Sequence, residues 1–295
     1  MAVITVFDRV QVRRQRDRAA ATLADHGFLF DEGADRLLDR IEDITRHFPL
    51  ALDLGCHDGA LGRKLLRQGR IERLVSCDIA PRMAQAAGGI AVAGDEEALP
   101  FASNSFDLVA SNLSLHWVND LPGALVQINR ALKPDGLFLA SMLGGETLSE
   151  LRRCLLEAES IEEGGASPRV SPFAEVRDAG SLLQRAGFAL PVVDIDSITV
   201  TYANPLRLLA DLKGMGETNA TDARRRNFMR RGTLAKAMEL YRERFTQGDG
   251  RVTATFQVLT LTAWRSHESQ QKPLARGSGK VSLATALGNG PKRAP

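Results

Sequence analysis

The stretch from Ala51 to Gly59, which reads ALDLGCHDG, decides the fold of this chain. An apolar run, Leu50–Leu54, leads into it, and the segment Ala60–Gln68, which reads as a helix, follows it. Glycine permits backbone conformations that other residues disfavour, and the first turn of a helix presents unpaired N–H groups to anionic atoms. The stretch therefore predicts either a ligand-binding turn or a tight connection between a strand and a helix.

Strand-like and helix-like segments alternate on both sides of this turn. Apolar runs typical of buried strands occupy Leu50–Leu54, Arg73–Cys77, Ile90–Ala93, Phe106–Ser111 and Leu137–Leu143, and a further strand is predicted at Val192–Tyr202. Strands that alternate with helices of this length form right-handed βαβ units and a mostly parallel sheet that helices cover on both faces. The sequence therefore predicts an α/β, Rossmann-like fold.

The last predicted strand contains a change of phase. From Val252 to Val258 the apolar residues occupy alternate positions, and from Leu259 to Ala263 they occupy the other set of alternate positions. Because a strand with one buried face keeps one phase, we interpret the change as a β-bulge.

Charge and cysteine content restrict the class of protein. The formal net charge is +2, which gives no global electrostatic reason to expect nucleic-acid binding. No apolar run approaches the roughly 20 residues of a membrane-spanning helix. Cys56, Cys77 and Cys154 show no paired spacing, which favours reduced thiols. We therefore expect a cytoplasmic protein, free or peripheral to the inner membrane, without stable membrane insertion.

Acidic residues stand at the ends of three predicted strands. Asp53 lies in the first strand, Asp78 closes the second, and Asp95 and Glu96 follow the third. Asp78 could accept hydrogen bonds from a ribose diol or cap the helix that begins at Pro81. Asp95 could accept a hydrogen bond from an adenine amino group or belong to a solvated turn. Three acidic strand ends in one βαβ series favour a nucleoside-binding site.

The spacing of the glycines distinguishes between two kinds of nucleoside cofactor. A dinucleotide site has the pattern G-x-G-x-x-G, whereas residues 53–59 follow the pattern D-x-G-x-H-x-G. Over roughly residues 35–145 the chain resembles the class I S-adenosylmethionine-dependent methyltransferases. The resemblance implies a seven-stranded sheet with an antiparallel last strand and helical lid insertions. That family has glycine at the position of His57, whose side chain could here face solvent.

The same resemblance implies a site for S-adenosylmethionine and for its product, S-adenosylhomocysteine. Asp53, Asp78 and Asp95 are expected to contact the methionine end, the ribose and the adenine, in that order. The predicted cofactor-binding residues are Asp53, Gly55, Cys56, His57, Gly59, Asp78, Ile79, Asp95, Glu96 and Asn112. We predict no metal site, because no group of residues has the spacing of metal ligands.

We expect the chain to be divided into three parts. Residues 1–34 form an N-terminal helical segment over the cofactor cleft. Residues 35–268 form the methyltransferase-like domain, with helical insertions at about 145–190 and 205–250. Residues 269–295 are polar, basic and rich in glycine and proline, which predicts a flexible tail.

His116 and Trp117 follow the fourth predicted strand. Ligands of open α/β sheets bind beyond the carboxyl ends of the strands, so both residues are expected near the reacting groups. A histidine there could act as a general base, and an indole could contact the sulfonium through a cation–π interaction. Each could equally be structural. We predict both as candidate catalytic residues.

The second half of the chain narrows the resemblance. It is similar to the respiratory complex I assembly factors that act as arginine hydroxylases, and to their bacterial relatives, and that group is itself similar to the malonyl-carrier-protein methyltransferases. The segments that carry this similarity are 7–9 (FDR), 114–122 (SLHWVNDLP), 144–148 (GGETL), 163–168 (EGGASP), 171–173 (SPF), 214–217 (GMGE) and 267–270 (HESQ).

Two functions follow as expectations. The first is an S-adenosylmethionine-dependent methyltransferase that acts on a small, carrier-bound or protein acceptor. The second is an S-adenosylmethionine-binding protein-arginine hydroxylase, or assembly factor, whose partner is a subunit of respiratory complex I. The basic run 224–231 could guide an acidic partner or could be a solvated helix face.

Overall fold

The seven strands form one mixed sheet in the order β3-β2-β1-β4-β5-β7-β6. This computed structural model describes residues 5–173, 176–270, 278 and 281. The strands are β1 (Phe48–Leu54), β2 (Ile71–Asp78), β3 (Ile90–Ala93), β4 (Phe106–Asn112), β5 (Leu132–Leu143), β6 (Phe188–Tyr202) and β7 (Val252–Arg265). The first five strands pair in parallel, and β7 runs antiparallel to both β5 and β6. The predicted Rossmann-like sheet with an antiparallel last strand is confirmed.

Helices connect the strands and cover both faces of the sheet. They are α1 (Arg9–Ala19), α2 (Leu23–His26), α3 (Phe28–Glu42), α4 (Ala60–Arg67), α5 (Pro81–Ala87), α6 (Leu121–Ala131), α7 (Ser149–Glu163), α8 (Val176–Arg185), α9 (Pro205–Met215) and α10 (Arg231–Phe245). A 3-10 turn, Leu115–Trp117, follows β4. Among the described residues, no helix combines the length and the apolar character needed to span a bilayer.

Alternate residues of the central strands pack against opposite faces. Leu52 of β1 and Val109 of β4 lie in a core with residues of α6 and α8, whereas Ala51 and Leu108 lie in a core with residues of α3 and α4. This alternation is the ordinary consequence of the strand pleat. It explains why these strands read as continuous apolar runs in the sequence.

The strand order places a topological switch point between β1 and β4. From β1 the chain continues outward to β2 and β3, and β4 then returns to the other side of β1. In open α/β sheets, ligands bind at the carboxyl ends of the strands beside such a switch point. The turn after β1 and the loop after β4 therefore frame the expected binding site.

The prediction of a bulge in the last strand is wrong. Residues 258–264 of β7 pair with β5 in unbroken register, and the register shift lies in β6, between Ala189 and Val192. The change of apolar phase has another cause. Val252 to Val258 pack on one face against α7 and α10, whereas Leu259 to Ala263 pack on the other face with α6 and α8. The helical cover changes faces along an uninterrupted strand.

The expected boundary at residue 34 falls inside a helix. Helix α3 spans Phe28–Glu42, and its buried residues Leu29, Phe30, Leu37 and Ile41 form one continuous apolar stripe. The N-terminal segment and the domain are therefore joined by a helix that belongs to both. Most of the predicted tail, residues 269–295, lies outside the described residues.

Strand β1, which lies between β2 and β4 inside the sheet, should be sensitive to the loss of buried side-chain volume. Replacing fully buried Leu52 with alanine is expected to lower the free energy of unfolding by about 2–5 kcal/mol, because the cavity left behind cannot collapse completely. The matched control is Leu66→Ala on α4, where the side chain is 42% exposed and the change should stay within about 0.5 kcal/mol. Chemical denaturation monitored by circular dichroism measures both variants. Equal losses would contradict this description of the core.

Candidate functional site

Asp53 is buried in β1 and supports the turn that follows. Its Oδ2 accepts a hydrogen bond from the backbone N–H of Gly62 at 3.1 Å, near the start of α4. Burial raises the pKa of Asp53 to about 7. Its other oxygen, Oδ1, is buried and has no hydrogen-bond partner among the described residues. Asp53 therefore holds the helix with one oxygen and keeps the other available for a donor.

The turn after β1 requires glycine at two positions. Gly55 and Gly59 have φ values of +67° and +81°, in the left-handed region that other residues disfavour. A Cβ atom at Gly55 would clash with Ser114, and one at Gly59 would lie 2.8 Å from Ala87. The predicted close approach of this turn to a bound ligand stays a prediction. In this structure the group that approaches Gly55 is the side chain of Ser114.

His57 is buried, so the suggestion that it faces solvent is wrong. It is 2% exposed, its Nε2 lies 3.1 Å from the backbone oxygen of Asn112, and its ring stacks on Phe30 with centroids 4.0 Å apart. It adopts a φ of +50° without being glycine. Burial first, and Arg16 second, lower the pKa of His57, which favours the neutral imidazole as a donor to Asn112. Its Nδ1 has no partner among the described residues.

Asp78 organises the end of β2 with both of its oxygens. Oδ1 accepts from the N–H of Ala80 at 2.8 Å, next to the start of α5. Oδ2 accepts from the N–H of His57 at 3.1 Å and from Nη1 of Arg16 at 3.4 Å. The alternative predicted for Asp78, the N-cap of the next helix, is wrong, because Ala80 is the N-cap of α5 and Asp78 accepts from the N–H of Ala80 itself. Oδ2 thus faces the turn after β1, and the contact of Asp78 with a ribose stays a prediction.

Arg16 of α1 is a residue of this site that the sequence analysis did not single out. Its side chain is fully buried, Nη2 donates to Ser114 Oγ at 3.0 Å, and Nη1 lies 3.6 Å from Oε1 of Glu96. Nε has no partner among the described residues. Arg9 lies two helical turns before Arg16 in α1, and it pairs with Asp95 at 2.5 Å and with Glu96. The spacing of seven residues between Arg9 and Arg16 was the signal available in the sequence.

The two arginines neutralise a buried acidic cluster. Burial alone would raise the pKa of Glu96, but Arg9 and Arg16 outweigh that effect and lower it to about 2. Glu96 is therefore ionised throughout the neutral range. Helix α1 of the N-terminal segment therefore lies over the acidic strand ends. Its expected position over a cofactor cleft stays a prediction.

The remaining predicted cofactor residues are distributed around this cluster. Ile79 and Asp95 line a cavity of about 300 Å³ beside α1 and α5, at the position expected for an adenine. Asn112 ends β4, and its side chain donates to Phe30 O at 2.7 Å and accepts from Ser141 Oγ at 2.8 Å. Cys56 is a buried free thiol in the turn.

The buried polar residues around Asp53, His57 and Asp78 fit a cofactor that carries an ammonium group and hydroxyl groups. Asp53 Oδ1 and His57 Nδ1 are buried polar atoms without partners, which a bound ammonium or hydroxyl group would satisfy. Ser114 lies where a Cβ at position 55 would stand, and Arg16 is fully buried above the same cluster. Within residues 5–173 and 176–270, no group of three His, Cys, Asp or Glu residues could hold a metal ion.

A second cavity, of about 820 Å³, lies on the other side of α1. We call it the acceptor cavity. It is lined by α1, α7, α9 and the loops that precede α8 and α10, and its lining residues include Gln15, Trp117, Phe173, Glu217 and Asn219. These loops belong to the insertions expected at about 145–190 and 205–250.

Trp117 and His116 meet at one carboxylate. Oε2 of Glu217 accepts from Trp117 Nε1 at 2.9 Å and lies 3.0 Å from His116 Nε2. Trp117 forms part of the cavity wall, whereas His116 is 4% exposed and contacts Glu217 behind it. The structure thus brings together the two residues predicted at the reacting end, and their catalytic role stays a prediction. Glu217 was missed as a site residue, although the segment 214–217 was one of those that carried the resemblance.

Known proteins match both the domain and the whole chain. Residues 52–140 match a family described as a methyltransferase domain. The human mitochondrial arginine-hydroxylase NDUFAF5 is 46% identical over 95% of this chain and 83% of its own length, and the Danio rerio protein is 45% identical over 95% and 89%. The malonyl-[acyl-carrier protein] O-methyltransferase of Halorhodospira halophila is 38% identical over 94% of both chains. The solved YcgJ protein of Bacillus subtilis superposes with a TM-score of 0.54 at 14% identity, over 78% of this chain and 98% of that one.

The sheet order, the acidic strand ends and the domain match define an S-adenosylmethionine-dependent enzyme with the class I methyltransferase fold. Within that class, the chain belongs to the family that contains the arginine-hydroxylases NDUFAF5 and the malonyl-[acyl-carrier protein] O-methyltransferases.

Asp78 provides the most direct test of the cofactor residues. Asp78→Asn is expected to lower the affinity for S-adenosylhomocysteine by about tenfold or more, because an amide accepts hydrogen bonds from a diol less strongly than a carboxylate does. Isothermal titration calorimetry measures the change, and a thermal unfolding curve verifies that the variant is folded. The control is Asp58→Asn on the same turn, where the side chain is half-buried and pairs with Arg63. Unchanged affinity in Asp78→Asn would rule out the ribose assignment.

Proposed function

We propose that this protein binds S-adenosylmethionine at the acidic strand ends and modifies an arginine side chain of a protein acceptor, which enters the acceptor cavity. Ten residues carry the cofactor proposal: Asp53, Gly55, Cys56, His57, Gly59, Asp78, Ile79, Asp95, Glu96 and Asn112. The cofactor, when bound, supplies an electrophilic methyl group. The acceptor would approach it past Trp117, the residue common to the loop after β4 and the cavity wall.

The opening of the acceptor cavity carries the proposal of a protein acceptor. Phe228 lines the cavity and is also fully exposed, so it stands at the opening. Arg226 and Arg230 beside it are 74% and 70% exposed. Aromatic residues and arginine are the residue types enriched where proteins bind one another. A small metabolite would not need a recognition surface outside the cavity, whereas an acidic protein surface around the modified residue would use it.

Salt bridges fix the loops that form this opening. Glu159 of α7 accepts from Arg169 at 2.6 Å and from Arg225 at 2.7 Å, and Arg224 pairs with Asp8 at 2.8 Å. Burial would raise the pKa of Glu159, but these arginines lower it to about 2. The loops on either side of the cavity are therefore held to α7 and to the N-terminal segment, which gives the opening a defined shape.

The names of the hydroxylase relatives support arginine as the modified side chain. The hydroxylase relatives match 95% of this chain at up to 46% identity, including the loops and helices that build the acceptor cavity. The resemblance of the sequence to complex I assembly factors makes a complex I subunit the expected partner. Two chemistries are therefore to be tested. Methyl transfer would use the methyl group of the cofactor, whereas hydroxylation would in addition require molecular oxygen and an electron donor.

A different acceptor, a carrier-bound acid, is favoured by one feature. Arg18 and Lys213 line the acceptor cavity and are exposed, and neither forms an ion pair with an acid among the described residues. Either could bind a carboxylate. The malonyl-[acyl-carrier protein] O-methyltransferase relative, at 38% identity, is consistent with that alternative.

Mass spectrometry of complex I subunits from cells with and without this gene tests the proposal. We expect an arginine-containing peptide to lose the mass of one oxygen atom on deletion, or of one methylene group if the enzyme methylates. Complementation with Phe228→Ser should restore the modification poorly, because docking is weakened. The control Val126→Ser changes a half-exposed residue of α6 outside the cavity and should restore it fully. Identical peptide masses with and without the gene would contradict a complex I acceptor.

A further inference from the structure

Glu217 has an unused hydrogen-bonding oxygen in the wall of the acceptor cavity. It follows α9, and its side chain is 4% exposed. Trp117 and His116 both contact Oε2, whereas Oε1 is buried and has no partner among the described residues. A buried carboxylate oxygen without a donor is costly, so its position needs an explanation.

Glu217 carries a negative charge in this environment. Burial would raise the pKa of Glu217, but His116 and then Arg16 outweigh burial and lower it. The ionised group is therefore stable beside these neighbours while one of its oxygens lacks a donor. A cation that enters the cavity would supply both the missing donor and the opposite charge.

A second unpartnered acceptor lies in the same wall. Gln15 of α1 is 6% exposed, and its Nε2 donates to the backbone oxygen of Asn219 at 3.3 Å. Its Oε1 is buried without a partner among the described residues. Gln15 and Glu217 both line the acceptor cavity, together with the aromatic rings of Trp117 and Phe173. Two residues with an unpartnered buried acceptor and two aromatic residues thus line the same cavity.

This combination matches a guanidinium group better than an ammonium group or a carboxylate. A guanidinium is planar, has five N–H donors in a fixed arrangement and stacks on aromatic rings. An ammonium is a compact point charge that cannot bridge two separated acceptors while stacking. A carboxylate would be repelled by Glu217. Arg18 and Lys213, the lining cations without an ion pair among the described residues, are exposed to solvent. The other lining cations, Arg169, Arg224 and Arg225, are paired with Glu159 or Asp8.

We propose that Glu217 and Gln15 form a guanidinium-binding site, in which Oε1 of each accepts a hydrogen bond from an arginine side chain of the acceptor. His116 is a positioning residue, because its contact with Oε2 fixes the carboxylate. The site deepens the proposed function, on which it rests for the route of the acceptor into the cavity. Binding itself requires no turnover, so the site can be tested independently.

The experiment is isothermal titration calorimetry of the full chain, with and without saturating S-adenosylhomocysteine. The probes are N-acetyl-arginine amide and N-acetyl-citrulline amide, which have nearly the same shape and differ in charge. The wild-type protein is expected to bind the arginine probe at least about tenfold more tightly. Glu217→Gln should abolish this preference. Glu239→Gln, which removes an exposed carboxylate of α10 outside the cavity, should preserve it.

A second variant tests the proposal independently, because it is expected to gain affinity. Gln15→Glu adds a carboxylate next to the same space and is expected to bind the arginine probe several-fold more tightly than the wild type. If Glu217→Gln fails to fold in a thermal unfolding assay, Gln15→Glu decides the question. Equal affinity of the wild type for both probes, a preference that survives Glu217→Gln, or no gain in Gln15→Glu would each overturn the proposal.

The binding assay and the cellular assay separate the two proposals. An arginine preference that depends on Glu217, without any mass change on a complex I peptide, supports the guanidinium site and contradicts the proposed complex I acceptor. A mass change on an arginine peptide without a preference for the arginine probe contradicts the guanidinium site and supports the proposed function.

Discussion

The buried guanidinium of Arg16 is the constraint on which the site depends. It is fully buried in a helix that precedes the sheet in the chain, and it lies between the carboxylates that end β2 and follow β3. A buried charge is tolerated only where opposite charges and hydrogen bonds surround it, and removal of one partner typically costs about 3–5 kcal/mol. Arg16 therefore fixes α1 across the carboxyl ends of the strands, and Glu96 stays ionised beneath it.

Helix α1 separates the two halves of the proposed site. Arg16 points to the acidic strand ends, and the preceding residue, Gln15, lines the acceptor cavity. Trp117 has a similar double position, since it follows β4 and also forms part of the cavity wall. A shift of Arg16 that admits the cofactor would move the same helix turn that carries Gln15. The geometry thus links the cofactor end and the acceptor end through one helix.

The sheet could be predicted from the sequence because its signals are local. Each parallel strand buried on both faces appears as an apolar run, and Asp78 stands at a strand end whatever its role. The assignment of a bulge to β7 failed because the strand changes its buried face without changing register, and only the packing of α7, α10, α6 and α8 reveals that. Sequence periodicity reports which residues are buried and not which element covers them.

The site residues that were missed make contacts across long sequence distances. Arg16 reaches Asp78 over 62 positions, and Glu217 reaches His116 over 101. Neither contact can be inferred from residues that are neighbours in the sequence. An isolated arginine or glutamate is normally exposed. His57 was misjudged for a related reason: its partners, Phe30 and Asn112, come from a helix and a strand that only the folded chain brings together.

A crystal structure of the full chain with bound S-adenosylhomocysteine would show whether the acidic strand ends hold the cofactor. We expect the ribose hydroxyl groups to lie within hydrogen-bonding distance of the Asp78 carboxylate. We also expect Arg16 to have left its present contact, in which Nη1 lies 3.4 Å from Asp78 Oδ2. A nucleoside bound elsewhere, with the Arg16–Asp78 contact intact, would contradict the assignment of this cluster as the cofactor site.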